Sequence, residues 1–238
     1  MAKNIFTIRH GEASHQVNPN IWEKYSNEDI PLTSLGKSQS TECGRFFADM
    51  NINPETTLII SSPYKRATQT AEQITKEIPA QLVIEPLLVE QDFGMFTGLT
   101  TEQCYEKYPN LARLYDLHAE KDGEYFVKPP KGESKEDVVK RAEQFIEKVL
   151  PRFENSQYEN LIIVSHCVVN RAIKKVLNNE SPEWFLQLAQ LPNCSIQQFS
   201  QANDKWIDKG PVFIPKKQAK SITMIGPEHL RGKGVKYE

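Results

Sequence analysis

Short apolar runs alternate along this chain with longer segments of helical period. Residues 5–8, 58–60 and 161–164 are such runs, each rich in β-branched side chains. Runs that short with that composition predict buried strands rather than buried helices. Between them the apolar positions step by three and four. In residues 64–78 they are Ala67, Ala71, Ile74 and Ile78, and in 134–150 they are Val138, Ala142, Phe145, Ile146 and Val149. After the third strand they are Val169, Ala172, Ile173, Val176 and Leu177. Each set makes one apolar stripe along a helix. Ser62-Pro63 marks a helix start, and Ser134 with Asp137 three residues on has the form of a capping box. Strands alternating with helices predict an α/β fold, a three-layer α/β/α sandwich around a mainly parallel sheet.

Two regions break this rhythm. Residues 91–132 form a long connection with only interrupted helical hints at 101–108 and 111–118, and connections of that length are usually lids or binding insertions. From residue 211 onward six basic residues (Lys216, Lys217, Lys220, Arg231, Lys233 and Lys236) face only Glu228 and Glu238, which reads as a solvated extension. The expected organisation is one domain over 1–210 and an extension over 211–238.

Composition narrows the class. Of 238 residues, 39% are hydrophobic and 25% charged, which excludes collagen-like, disordered and disulfide-scaffold proteins. Twenty-nine basic residues against 31 acidic ones leave a charge of −2, so neither nucleic acid nor an anionic membrane is the expected partner. No apolar run approaches the roughly 18–20 residues a membrane span needs. The first residues lead straight into a strand pattern without a secretory leader, and the four cysteines (Cys43, Cys104, Cys167, Cys194) are scattered. Both features predict a reduced, cytoplasmic setting.

The chemistry gathers at strand ends. Arg9-His10-Gly11 follows the first strand, at the edge where open α/β sheets bind ligands. Ser61-Ser62-Pro63-Tyr64-Lys65-Arg66-Ala67 puts Arg66 in the first turn of a helix after the second strand, with Lys65 beside it on the solvent side. Ser165-His166 ends the third strand where a helix begins, and the free N–H groups there make an anion site. Glu90 precedes Gly94 and Gly98 in an acidic loop. Packing alone requires no such set of two arginines, two histidines and a carboxylate. A metal site is the rival reading, but His10 and His15 are five apart, off the four-residue helical spacing, and His118 and His229 are isolated. Arg171 lies off the apolar stripe of its helix, which predicts a surface ion pair, and Cys167 reads as a small packing residue.

These segments together resemble the histidine phosphatase superfamily, the phosphoglycerate-mutase-like proteins. The likeness extends to Pro31-Leu32-Thr33 with Gly36 and Gln39, to Gly132-Glu133-Ser134 and to Asn193-Cys194-Ser195, and runs in family order from about residue 5 to 199. It implies a phosphoglycerate-mutase-like fold and a metal-independent, cofactor-free phosphomonoesterase acting on a small phosphorylated substrate. By that resemblance His10 accepts the phosphoryl group, with a backbone carbonyl holding its other ring N–H. Arg9, Arg66 and His166 surround the phosphoryl group, and Glu90 is the general acid. Two positions depart from the family pattern: Cys167 follows His166 where glycine is common, and Gln16 stands where many members have a phosphate-contacting asparagine. As phosphate-binding positions the resemblance therefore includes Gln16 and Cys167. Two alternatives stay open: a phosphoglycerate-mutase-type phosphotransferase, and a catalytically weak binding or scaffold member of the same fold. The mutase lid characteristically carries paired arginines, whereas here Arg113 stands alone among Asp116, Glu120, Asp122 and Glu124, which favours a phosphatase.

Overall fold

The computed structural model of the chain describes residues 3–154, 157–203 and 205–218. The three apolar runs become β1 (Asn4–Arg9), β2 (Thr57–Ser61) and β4 (Asn160–Ser165), lying side by side in one six-stranded sheet of order β3-β2-β4-β1-β5-β6. β3 (Gln81–Ile84), β2, β4 and β1 run parallel, whereas β5 (Ile196–Ala202) and β6 (Lys205–Phe213) join antiparallel at one edge. β2 and β4 are buried at every position, as central parallel strands covered on both faces should be. β3 and β6 alternate or are half exposed, and polar glutamines interrupt β5, so none reads as a strand from apolar runs alone. β6 continues past residue 210 to Phe213. Lys216 and Lys217 are described, whereas Lys220, Arg231, Lys233 and Lys236, with His229, lie outside the described residues.

Helices cover the two faces. α1 (Ser34–Asp49) and α2 (Lys65–Glu77) pack with one apolar cluster that includes Phe6, Phe47, Ile59, Ala71 and Ile162. α5 (Lys135–Gln144) and α7 (Cys167–Asn178) cover the other face with Leu58, Val138, Ile163 and Ile173. Alternate residues of β2 and β4 therefore serve opposite clusters, which is the period of two expected of a strand. The capping box at Ser134 forms as predicted: its hydroxyl accepts from Asp137 N at 3.1 Å, while the Asp137 carboxylate accepts from Ser134 N at 2.9 Å. The helical stripe beyond it is interrupted, since residues Phe145–Val149 take a π-helical turn before α6 (Leu150–Glu154).

The 91–132 segment folds as α3 (Thr101–Lys107) and α4 (Pro109–Asp122) around a small cluster of its own, with Phe96, Cys104, Ala112, Tyr115 and Val127 buried. Among the described residues the last helix, α8 (Pro182–Gln187), follows α7. Among the described residues, no helix is long and apolar enough to cross a membrane.

Candidate active site

The carboxyl ends of β1, β2 and β4 bring the predicted residues to one edge of the sheet. Arg9 pairs with Ser165 in register, and the next amide, His10 N, donates to Ser165 O at 2.9 Å. The chain then turns hard against the start of α1. A Cβ on Gly11 would lie 2.4 Å from Gly36 O, and one on Gly36 would lie 2.0 Å from Glu12 O. Both positions accept glycine only, because the two backbones touch there. Gly11 N donates to Thr70 Oγ1 at 3.0 Å and Glu12 N to Gln39 Oε1 at 2.8 Å. From the far end of the chain, Asn193 Nδ2 donates to His10 O at 2.9 Å and Cys194 N to Arg9 O at 2.9 Å. Cys194 has a left-handed φ of 55°, a conformation that costs a side-chain-bearing residue roughly 1–2 kcal/mol. The loop around His10 is thus bonded to four segments distant in sequence.

The His10 ring is 3% exposed, and its Nδ1 lies 2.7 Å from Gly11 O. A carbonyl only accepts, so Nδ1 carries the hydrogen and Nε2 keeps its lone pair. Burial, then Arg66, then Arg9 hold the His10 pKa well below the usual imidazole value, against the opposing pull of the Gly11 bond. The ring is therefore neutral at pH 7.

His166 is fully buried, its ring 5.2 Å from His10 and 5.2 Å from Tyr64, and its Nε2 shares a hydrogen bond of 2.9 Å with Ser62 Oγ. Arg66 is 3% exposed, stacks over Tyr64 at 4.9 Å and donates through Nη1 to Asn27 O at 2.5 Å. Burial pushes its pKa down to about 10, which leaves it a cation at neutral pH. Arg9 Nη1 donates to Leu191 O at 2.5 Å. The Nε groups of Arg9 and Arg66 and the Nδ1 atoms of His15 and His166 are buried without a protein partner, so four polar nitrogens here remain open to a ligand. Lys65 is exposed, as expected.

Glu90 enters from the loop after β3. Its carboxylate accepts from Gln91 N at 3.0 Å, Cys167 N at 3.1 Å and Val168 N at 3.2 Å. Burial raises its pKa, while the Gln91 bond, Arg66 and Arg9 pull the other way. This corrects one expectation: the free amides that open α7, Cys167 N included, are held by the Glu90 carboxylate, and the Cys167 thiol is buried. Gln16 is a second correction. Its amide is paired with that of Asn193, at 3.1 Å in each direction, and its Oε1 accepts from Ala13 N at 2.9 Å. The side chain expected to donate to phosphate instead steadies the residue that holds His10 O.

Arg171 is a third correction. It is 4% exposed rather than on the surface, lies over the Phe185 ring at 4.8 Å and donates to Phe185 O at 2.7 Å. The stripe of its own helix does not show this, because α8 supplies the partner. His15, set aside on helical spacing, comes to the site on a short 3₁₀ turn (Ser14–Gln16), its ring 6.3 Å from that of His10 and 5.4 Å from Trp22. Thr70, Ser62 and Tyr64 also belong here. Ser62 and Tyr64 lie inside the Ser-Ser-Pro segment already singled out and Thr70 three residues beyond it, whereas helical spacing does not bring in His15. Among the described residues, no group of three His, Cys, Asp or Glu side chains could hold a metal ion.

Three imidazoles, those of His10, His15 and His166, have pKa values held well below 6.5, burial being the first cause in each. The unfolded chain therefore binds more protons below pH 6.5, and the stability these groups contribute is full above that pH and lost as pH falls. Each costs about 1.4 kcal/mol per pH unit once the unfolded rings are protonated. Glu90, with its raised pKa, works in the opposite direction but is one group against three. Calorimetry in phosphate-free buffer should show Tm lower by about 10 °C at pH 5.5 than at pH 7.5. A flat profile would mean that these rings titrate normally in the folded chain.

Residues 5–209 match the family model described as histidine phosphatase superfamily, branch 1. A Bacillus subtilis protein described as the uncharacterized phosphatase PhoE is 28% identical over 203 residues, 85% of this chain and 90% of its own length. A probable phosphoglycerate mutase, GpmB, of Escherichia fergusonii is 25% identical over 206 residues, 87% of this chain and 88% of its own. The fold is also that of a putative α-ribazole-5′-phosphate phosphatase from Escherichia coli, with a TM-score of 0.71 at 20% identity, covering 89% of this chain and 96% of that one.

Proposed function

The chain belongs to the histidine phosphatase superfamily, and from that premise we propose that it is a phosphomonoesterase working through a phosphohistidine at His10. The observation that carries this reading is the Nδ1–H bond from His10 to Gly11 O. It leaves Nε2 unprotonated in a pocket bearing two guanidinium groups. In the first step His10 Nε2 attacks phosphorus, the ester P–O bond breaks, and protonated Glu90 gives its proton to the departing alkoxide. In the second, Glu90 takes a proton from water as the water oxygen attacks phosphorus. The P–N bond then breaks, and His10 and inorganic phosphate are released. Arg9 and Arg66 balance the charge on the phosphoryl oxygens, each pair at about 4 Å being worth roughly 4 kcal/mol at an effective dielectric near 20. No step uses a metal ion.

The relatives include proteins described as a phosphatase and as a probable mutase. Hydrolysis is favoured here because Glu90 lines an open cleft of about 510 Å³, which gives water a route to the phosphoenzyme. The test is a rapid quench in alkaline detergent during turnover of a ³²P-labelled aryl phosphate. An acid-labile, base-stable label on the His10 peptide is expected, with turnover unchanged by EDTA and blocked by orthovanadate. Turnover without any trapped label would remove the phosphohistidine.

A further inference from the structure

The cleft beyond Glu90 carries charge that phosphoryl transfer does not use. It is lined by Tyr64 and Glu90 at its inner side and by Glu28, Asp92, Glu133 and Arg141. Its one cation among the described residues is paired at each of its three nitrogens. Arg141 Nε and Nη2 grip Glu133 at 2.8 and 2.9 Å, and Nη1 donates to Leu87 O at 2.7 Å and Val89 O at 3.0 Å. Glu133 and Arg141 thus cancel, with four of the five guanidinium N–H groups already bonded within the protein. Two exposed carboxylates remain, those of Glu28 and Asp92, and neither forms an ion pair among the described residues.

Both are held in place by their backbones. Lys65 N donates to Glu28 O at 2.8 Å, next to the bond from Arg66 to Asn27 O. Glu133 N donates to Asp92 O at 2.8 Å, while Asp92 Oδ1 accepts from Gly94 N at 2.7 Å. Arg66, stacked on the Tyr64 ring that lines the cleft, keeps a buried, unpartnered Nε. The site is therefore polarised: cationic where the phosphoryl group is held and anionic where its alcohol must extend.

We propose that this cleft selects phosphomonoesters whose alcohol part is cationic or uncharged and turns away those bearing a second anion. The inference rests on the phosphomonoesterase reading and names the substrate class of that same site. Carboxylates a few ångströms from a substrate charge at a wet rim change its binding by roughly tenfold, and the effect shrinks with salt.

The test uses three sugar esters with the phosphoryl group on the same carbon and with +1, 0 and −1 on the alcohol: glucosamine 6-phosphate, glucose 6-phosphate and 6-phosphogluconate. Each is measured as substrate, as competitor of 4-nitrophenyl phosphate hydrolysis, and by the rise in Tm it causes. The expected order in kcat/KM or apparent affinity is amine, then neutral, then carboxylate, spanning roughly tenfold at low salt. The exposed double variant Glu28→Gln/Asp92→Asn should collapse that span. A flat or reversed order in the wild type, or an order the double variant leaves intact, would overturn the proposal. Failure to hydrolyse 4-nitrophenyl phosphate would instead overturn the phosphomonoesterase reading, and the Tm shifts would still report the charge order.

Discussion

His10→Ala is expected to lower kcat/KM for 4-nitrophenyl phosphate by at least about 10⁴-fold, the scale seen when a covalent nucleophile is removed. No neighbour can take its place. The His166 ring is 5.2 Å away with Nε2 engaged by Ser62, and the His15 ring is 6.3 Å away. The loss should lie in kcat, because Arg9 and Arg66 keep their positions through backbone carbonyls of Leu191 and Asn27 rather than through His10. Vanadate affinity, read by a Tm shift, should survive far better than turnover. The measurement is steady-state kinetics beside circular dichroism of the variant. A folded His10→Ala protein with turnover within about tenfold of wild type would show that phosphorus is attacked by some other group.

Glu90→Gln has the second largest expected effect, and its pattern is more telling than its size. A productive free enzyme needs His10 neutral and Glu90 protonated at once. Unperturbed, the carboxyl would lose its proton near pH 4.5 and the imidazole near 6.5, so the needed pair of forms would be rare. Burial moves His10 down and Glu90 up, towards each other, which enlarges the productive fraction. kcat/KM should rise with pH as His10 loses its proton, at a pH below 6.5, and fall as Glu90 loses its own, at a pH above 4.5. In Glu90→Gln the alkaline fall should vanish while the acid rise stays. Alkyl phosphates, which need a proton on the leaving oxygen, should slow by about 10²–10⁴-fold. Nitrophenyl esters should slow far less. Equal losses for both classes, or an alkaline limb that persists, would take the acid role from Glu90.

The sequence displayed the parts of this molecule whose partners are local. β1, β2 and β4 were legible because central parallel strands are apolar throughout, and α2, α5 and α7 because one face of each meets the sheet. β5 was not, since Gln197, Gln198 and Gln201 punctuate it. β6 lies at the edge of the sheet, where half its residues meet solvent. Arg9, His10, Arg66, His166 and Glu90 were legible as strand-end and loop chemistry, and the fold brings them to one place. Arg171, Gln16 and the Cys167 amide were misread for one reason. Each is decided by a residue from a distant segment (Phe185, Asn193 and Glu90), and periodicity within one helix carries no information about such a partner.

The bonds around His10 also set an order of events. The amide that holds the His10 carbonyl lies 183 positions further along the chain, and the hydroxyl that fixes Gly11 lies 59 positions beyond that glycine. Contacts of such long range form late in folding. A chain still on the ribosome would carry the His10 loop without its full set of bonds until Asn193 had emerged.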